Sequence, residues 1–371
     1  MLPKKEHVWS MCVPALSSWK GVTPDSITFQ RLLGMSNMVL GVSICDPVLL
    51  AQGITPTKVL LRVYPTQTSR IICREKEQAI FAYLSETDHG VKMYYSCPLY
   101  RIEEFIEGEK LTIFELGNKM LIKTIAQIFS EYHHDPLLSD VLLQFDPKLP
   151  FAEKFLTEWY TTFKMGFATY MENVKSEDNI AIMKSLQFFA TPEFEKEYRT
   201  ILQGLSGTEI VTSHCDVHEM NMLRNFNNKE KIILIDFEYS TFNYRAIDIA
   251  TLWVETTIDY THPIFPFFKI YEANKWDEED LTRFIRAYLE RDAILHGKEN
   301  VEDYVNKETP LLTAEVKKAE PLVSALWAVW AIIMVDWKHL DESKDWNFAY
   351  AMQRFGLYEK SKKEVLKTLA I

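Results

Sequence analysis

The sequence predicts an α+β chain in two lobes, a β-rich N-terminal lobe over residues 1–107 and a larger helical lobe over 108–371. Three observations carry this. Short runs of β-type composition fill the first hundred residues, and helical periodicity takes over after Gly108. The helical part is interrupted once, by a loop and a buried-type strand between His214 and Asp236. With 371 residues and 47% apolar content the chain can bury a sizeable core, and its length suits two lobes.

Taken in order, 28–33, 38–44, 59–64, 91–96 and 100–106 read as strands. One helix interrupts them, over about 69–84, with Ile72, Ala79, Ile80 and Tyr83 set amid charges. Beyond Gly108, Thr112 and Glu115 offer a capping box to a helix in which Leu121, Ile125, Ile128 and Tyr132 recur at helical spacing. The segments EIVT (209–212) and IILIDF (232–237) read as two short strands of a hairpin, with a polar turn over 225–231 between them. The apolar run LVSALWAVWAIIMV (322–335) is shorter than the roughly 18 to 20 residues of a membrane span and reads as a buried helix. The charged EKSKKEVLK near the C-terminus reads as a solvated helix face.

Composition excludes several function classes. Lysine and arginine number 41 against 52 acidic residues, a net charge of −11 that argues against coating nucleic acid or an anionic membrane. Five cysteines without CxxC spacing suit a reducing compartment, and no signal peptide is evident, so a cytoplasmic protein without stable membrane insertion is expected.

The chemistry is concentrated in HCDVHEMNML (214–223) and ILIDFEYS (233–240). His214, Asp216 and Asn221 share a loop, and Asp236 closes the following strand. That spacing fits phosphoryl transfer from ATP: one carboxylate, Asp216, takes a hydroxyl proton, and an amide and a second carboxylate, Asn221 and Asp236, hold magnesium. Such a transfer gives the protein little covalent work, so positioning and charge neutralisation suffice. His214 is expected to hold the shape of the loop, and Arg245 and Asp248 to be structural partners.

A nucleotide site of this kind also needs a phosphate-covering turn, a cation on a strand and a carboxylate that positions the cation. In RLLGMSNMVL (31–40), Gly34 permits an unusual backbone angle, and the Ser36 and Asn37 amides can bond phosphate oxygens. Arg62, seated in KVLLRVY (58–64), offers a planar fork for phosphate. Glu77 on the first helix is the expected partner of Arg62, with Glu75 as its rival.

These segments resemble the choline/ethanolamine kinases: HCDVHEMNML, ILIDFEYSTFNYRAIDIA, GMSNMVL and VLLRVY carry the likeness, which runs from about Phe29 to about Phe355. Phe237, Glu238 and Tyr239 resemble the choline branch. The resemblance implies a protein-kinase-like two-lobed fold and transfer of the ATP γ-phosphate to the hydroxyl of choline or ethanolamine, toward phosphatidylcholine or phosphatidylethanolamine. It makes Asp216 the base, Asn221 and Asp236 the magnesium ligands, Arg62 and Glu77 a phosphate-anchoring pair, and Glu104, Phe105 and Ile106 the hinge that meets adenine. Members of the family often form homodimers, which becomes an expectation here.

The same resemblance gives the acceptor pocket. A quaternary ammonium has no hydrogen to donate and is best desolvated by ring faces, each contributing about 0.5 to 2 kcal/mol. The expected cage is Tyr239, Tyr260, Trp327, Trp330 and Tyr350, with Trp346 as the alternative to Tyr350 and negative charge from Glu255 or Asp259. Trp327 and Trp330, three apart, share a helix face. Departures from the family pattern fall at Met35, at His218 in place of a glutamine near the acceptor hydroxyl, at Met220, and at Ala250, Thr251, Leu252 and Trp253. The sequence therefore predicts a choline kinase, with an ethanolamine or dual-specificity kinase as the first alternative. An aminoglycoside-type kinase would need an open, acidic cleft, and the second alternative is a catalytically weakened nucleotide- or choline-binding protein.

Overall fold

The computed structural model describes residues 3–32, 38–64, 71–87, 89–226 and 231–369. The chain divides into two compact units, Met1–Glu109 with Leu223–Tyr239, and Lys110–Met222 with Ser240–Ile371.

The first unit is built on a five-stranded antiparallel sheet. Its strands are β1 (Ile27–Leu32), β2 (Met38–Ile44), β3 (Lys58–Val63), β4 (Met93–Ser96) and β5 (Tyr100–Glu104), in the order β1-β2-β3-β5-β4. Val59, Leu61 and Ile102 alternate onto one face and are fully buried with Val8, Cys12 and Trp19. Arg62, Arg101 and Glu103 therefore project from the other face, where Glu77 of the helix Arg74–Ser85 meets Arg101. That helix starts later than the 69–84 expected, and Ile72 is buried just ahead of it.

A second, three-stranded sheet places β8 (Met222–Asn225) between β6 (Gly108–Lys110) and β9 (Ile232–Leu234). This corrects the expected hairpin. The strand after the loop pairs with β8, while β7 (Ile210–Ser213) pairs antiparallel with β10 (Thr241–Tyr244). MLRN of β8 is too short and too polar to show an alternating pattern, which hid it. Nor does β9 run to Asp236: that residue has φ of 70°, a left-handed angle no strand contains.

The second unit is mainly helical. Its helix Lys119–His133 is capped by Asn118, whose Oδ1 accepts from the Met120 and Leu121 amides at 2.9 and 3.2 Å. The expected Thr112–Glu115 box does form, with Glu115 accepting from the Thr112 amide and hydroxyl, but it closes a turn ahead of the helix. The buried seam runs through Ile122, Ile125, Phe129 and Tyr132, leaving Leu121 and Ile128 on its flanks. The apolar run 322–335 lies almost wholly within the helix Val301–Met334 and is buried as expected. In the helix Asn347–Thr368, Lys362 is buried, bonds Glu197 at 2.8 Å and lies over the Phe188 ring, so the charged C-terminal stretch is not a purely solvated face. Among the described residues, no helix is long and apolar enough to cross a membrane.

Candidate active site

In the second unit the loop after β7 is held by its backbone. Asp248, on the helix Arg245–Glu255, accepts from the His214 amide through Oδ2 at 2.7 Å and from the Cys215 amide through Oδ1 at 2.9 Å. Cys215 takes φ of 67°, a conformation unfavourable for a residue with a Cβ, and these two bonds hold it there. Asp248 is itself steered by His133, whose Nε2 lies 3.1 Å from Oδ2 and whose Nδ1 lies 2.9 Å from the Tyr288 hydroxyl. Burial holds the His133 imidazole below its ordinary pKa despite that carboxylate, so it is neutral and donates through Nε2. His214, the expected shape-holding residue, accepts the Asp216 amide on Nδ1 at 3.3 Å.

Beyond this turn stand Asp216, His218 and Asn221. Asn221 donates Nδ2 to the Asp216 carbonyl at 2.8 Å and to its Oδ2 at 3.1 Å. That network fixes the amide orientation and turns Asn221 Oδ1 away from Asp216. His218 is buried, with Nε2 3.8 Å from Asp216 Oδ1 and Nδ1 3.8 Å from Glu219 Oε2. Burial alone would lower its pKa, but Asp216, Glu219 and Glu255 push it up to about 9. His218 is thus a cation beside Asp216. Glu219 is buried, and neither of its carboxylate oxygens has a hydrogen-bond partner among the described residues. Burial raises its pKa.

Most of the expected cage residues gather in this unit. Tyr260 lies 5.3 Å from the His218 ring and 6.2 Å from Tyr350. Tyr350 in turn lies 6.3 Å from Trp330, which meets Trp327 edge-on at 5.2 Å. Trp346 does not replace Tyr350 but stands beside it at 5.2 Å, and Phe268, absent from the expected set, adds an edge at 5.7 Å. Glu255 is buried here, accepting from the Tyr260 hydroxyl at 2.9 Å and from Arg354. Asp259 is instead used by its own turn, accepting from the Thr261 amide and hydroxyl. Tyr239 is half-buried and belongs to the first unit.

The first unit carries a buried ion network. Arg62 does not pair directly with Glu77 as expected. Its Nε donates to Glu103 Oε1 at 3.0 Å and its Nη1 to Asp236 Oδ2 at 3.4 Å. Glu77 instead accepts from Arg101 at 3.1 Å and Arg74 at 2.5 Å, and Arg101 also donates to Glu103 at 2.8 Å. The reason is register: Arg62 faces Arg101 across β3 and β5, so Glu103, two residues along the same face, is the nearer carboxylate. Burial would depress the Arg62 guanidinium, but Glu103, Asp236 and Glu77 keep it charged. Glu75, the rival, is exposed. Among the described residues Arg62 Nη2 makes no hydrogen bond. Glu104 ends β5, and the Phe105 ring lies under Lys58 Nζ at 3.6 Å and so close to β2 that a Cβ on Gly41 would sit 3.2 Å from it. Ile106 follows, half-buried. Gly34, Ser36 and Asn37 lie outside the described residues.

Arg354, Phe268, Glu219 and Glu103 were not among the residues expected from sequence. Arg354 had a usable signal, four residues beyond Tyr350 on one helix face.

Residues 29–359 match the family model described as choline/ethanolamine kinase. A human choline/ethanolamine kinase is 25% identical over 353 residues, covering 93% of this chain and 82% of its own. Among solved structures, a choline kinase from Cryptosporidium parvum superposes with a TM-score of 0.76 at 23% identity, covering 98% of this chain and 97% of its own. A Plasmodium vivax ethanolamine kinase gives 0.69 at 22%, covering 100% and 93%.

Proposed function

Because the chain belongs to the choline/ethanolamine kinase family, and is thus an ATP-dependent phosphotransferase with the protein-kinase-like fold, we propose that its acceptor is choline. The observation that carries this is the ring cluster of Trp327, Trp330, Trp346, Tyr260, Tyr350 and Phe268 in the second unit. A quaternary ammonium is attracted to ring faces, which ask for no hydrogen bonds.

In this reading Asp216 accepts the proton of the acceptor hydroxyl, positioned by the Asn221 side chain and by the Asp248 clamp on the loop. His218, charged at neutral pH, donates toward the acceptor oxygen and balances the charge beside Asp216. Arg62, oriented by Glu103, holds phosphate through Nη2. The backbone at Glu104, Phe105 and Ile106, with Gly34, Ser36 and Asn37, completes the nucleotide-binding set. Asn221 Oδ1 and the Asp236 carboxylate are hard oxygen donors of the kind magnesium takes while keeping water and phosphate as its other ligands. Magnesium there would offset charge on the transferring phosphoryl group. The product is phosphocholine for phosphatidylcholine synthesis, made in the cytoplasm.

A second reading, ethanolamine or both amino alcohols, is favoured by one observation: among the described residues the Glu219 carboxylate accepts no hydrogen bond, with His218 Nδ1 3.8 Å away, and a primary ammonium brings three donors. Initial rates with ATP and magnesium on choline and ethanolamine separate the two. Choline preference is the expected result, and ethanolamine preference would overturn the acceptor assigned here. Asp216→Ala should lose about 10²- to 10⁴-fold in kcat while still binding choline. Equal inactivity of parent and variant, with both binding, would identify a binding protein instead.

A further inference from the structure

Arg354 is fully buried beside the ring cluster, one helical turn after Tyr350. A guanidinium taken out of water is costly unless it is paired and hydrogen-bonded. Its Nη2, with two hydrogens, lies within hydrogen-bond reach of three acceptors: Glu255 Oε1, the Tyr350 hydroxyl at 2.6 Å and the Tyr260 hydroxyl at 3.1 Å. Its plane lies 4.8 Å from the centre of the Tyr350 ring. The Tyr260 hydroxyl donates onward to Glu255 Oε2 at 2.9 Å.

Two consequences follow from donor and acceptor arithmetic. Both oxygens of Glu255 already hold one donor each, and the buried guanidinium compensates its charge, which weakens its pull on an ammonium. Meanwhile, among the described residues, Arg354 Nε and Nη1 have no hydrogen-bond partner, so this end of the ring cluster holds N–H groups that no acceptor meets. A trimethylated ammonium leaves no donor unmatched in such a place, having no hydrogen to donate. A primary ammonium would leave donors unmatched beside a second cation, and buried unmatched donors are what a site uses to reject a ligand. Glu219 is the acceptor such a ligand would still find, so the discrimination is graded.

We propose that Arg354 is a specificity-determining residue, which by occupying Glu255 and pinning the hydroxyls of Tyr260 and Tyr350 selects a quaternary over a primary ammonium. This rests on the acceptor pocket assigned above. The test measures choline and ethanolamine affinity by calorimetry, and kcat/KM for each, in the full-length parent, Arg354→Gln, Glu255→Gln and the charge-balanced double variant, with folding checked by circular dichroism. Arg354→Gln frees Glu255 and should shift the choline-to-ethanolamine ratio toward ethanolamine by about tenfold or more, and the double variant should return it to within about threefold of the parent. A folded Arg354→Gln with the parental ratio overturns the assignment. Should that variant fail to fold, the remaining pair decides: Glu255→Gln leaves the guanidinium uncompensated and should weaken choline binding about tenfold, with recovery in the double variant. Equal affinities in those two overturn it. A parent that binds both ligands with the Arg354-dependent ratio but transfers no phosphate would sink the kinase reading and leave the role of Arg354 standing. A parent that binds neither would sink both.

Discussion

At the scale of single residues, chemistry depends on who holds each charge. Glu103 and Asp236 take Arg62 Nε and Nη1 and so fix the plane of its fork, which suits it to the phosphate-holding role proposed for it. Glu103→Gln should therefore raise the KM for ATP several-fold and lower stability, since it leaves a buried guanidinium partly uncompensated. Glu75→Gln, at an exposed position, should leave both within experimental error, and steady-state kinetics on the two variants checks this. The sequence put Asp216, Asn221 and His214 on one loop correctly, because their spacing is local. It assigned Glu77 to Arg62 on helix-to-strand logic and missed Glu103, because which of two carboxylates is nearer depends on the cross-strand register of β3 and β5. His218 shows the same limit: its identity is visible in the sequence, but its charge follows from burial among Asp216, Glu219 and Glu255.

At the scale of elements, caps and pairings decide where the site-bearing segments begin. Asn118 rather than Thr112 starts the helix Lys119–His133, whose far end presents His133 to Asp248. Asn118→Ala should destabilise the protein by about 1 kcal/mol, read from chemical denaturation, whereas Thr112→Ala should cost less because it loosens only a turn. The box pattern and the true cap lie six residues apart, and composition does not separate them. The strand β8 was invisible for a different reason: four residues, a buried Met222 followed by three half-buried positions, carry no period, and only pairing on both sides makes them a strand. Asp236 leaves the strand pattern at a left-handed angle, a backbone choice that tertiary contacts impose.

For the whole molecule, stability as a function of pH carries a separate prediction. Glu209 stands before β7, and although burial would raise its carboxyl, the His134 imidazole 3.4 Å away and the charge of Arg245 hold it down at about 2. Its folded pKa lies below its ordinary 4.5, so its contribution to stability is complete above about 4.5 and fades as pH falls toward 2. His134 is shifted the other way: burial would lower it, but Glu209 and Asp292 raise it above its ordinary 6.5. Its contribution is complete below 6.5 and fades as pH rises through the raised value. The melting-temperature advantage of the parent over Glu209→Gln should accordingly be widest between about pH 4.5 and 6.5 and shrink on the acid side. An advantage that does not change from pH 6 to pH 3 would contradict the pairing.

What the sequence determined by itself is what local order encodes. It held the β-rich first part, the helical remainder, the buried run within Val301–Met334 and the loop that sets Asp216 five residues before Asn221, because periodicity and motif spacing act over neighbouring residues. It also named most of the rings that stand around Trp330 and Tyr350. Tertiary structure alone decided how those residues are partnered. Arg62 went to Glu103 through sheet register, Glu255 went to Arg354 through a contact spanning 99 positions, and the loop at His214 and Cys215 went to Asp248, 34 and 33 positions away. Such pairings are set by which buried charges and hydrogen-bonding groups must satisfy one another once the chain is compact, and no periodicity along the chain records them.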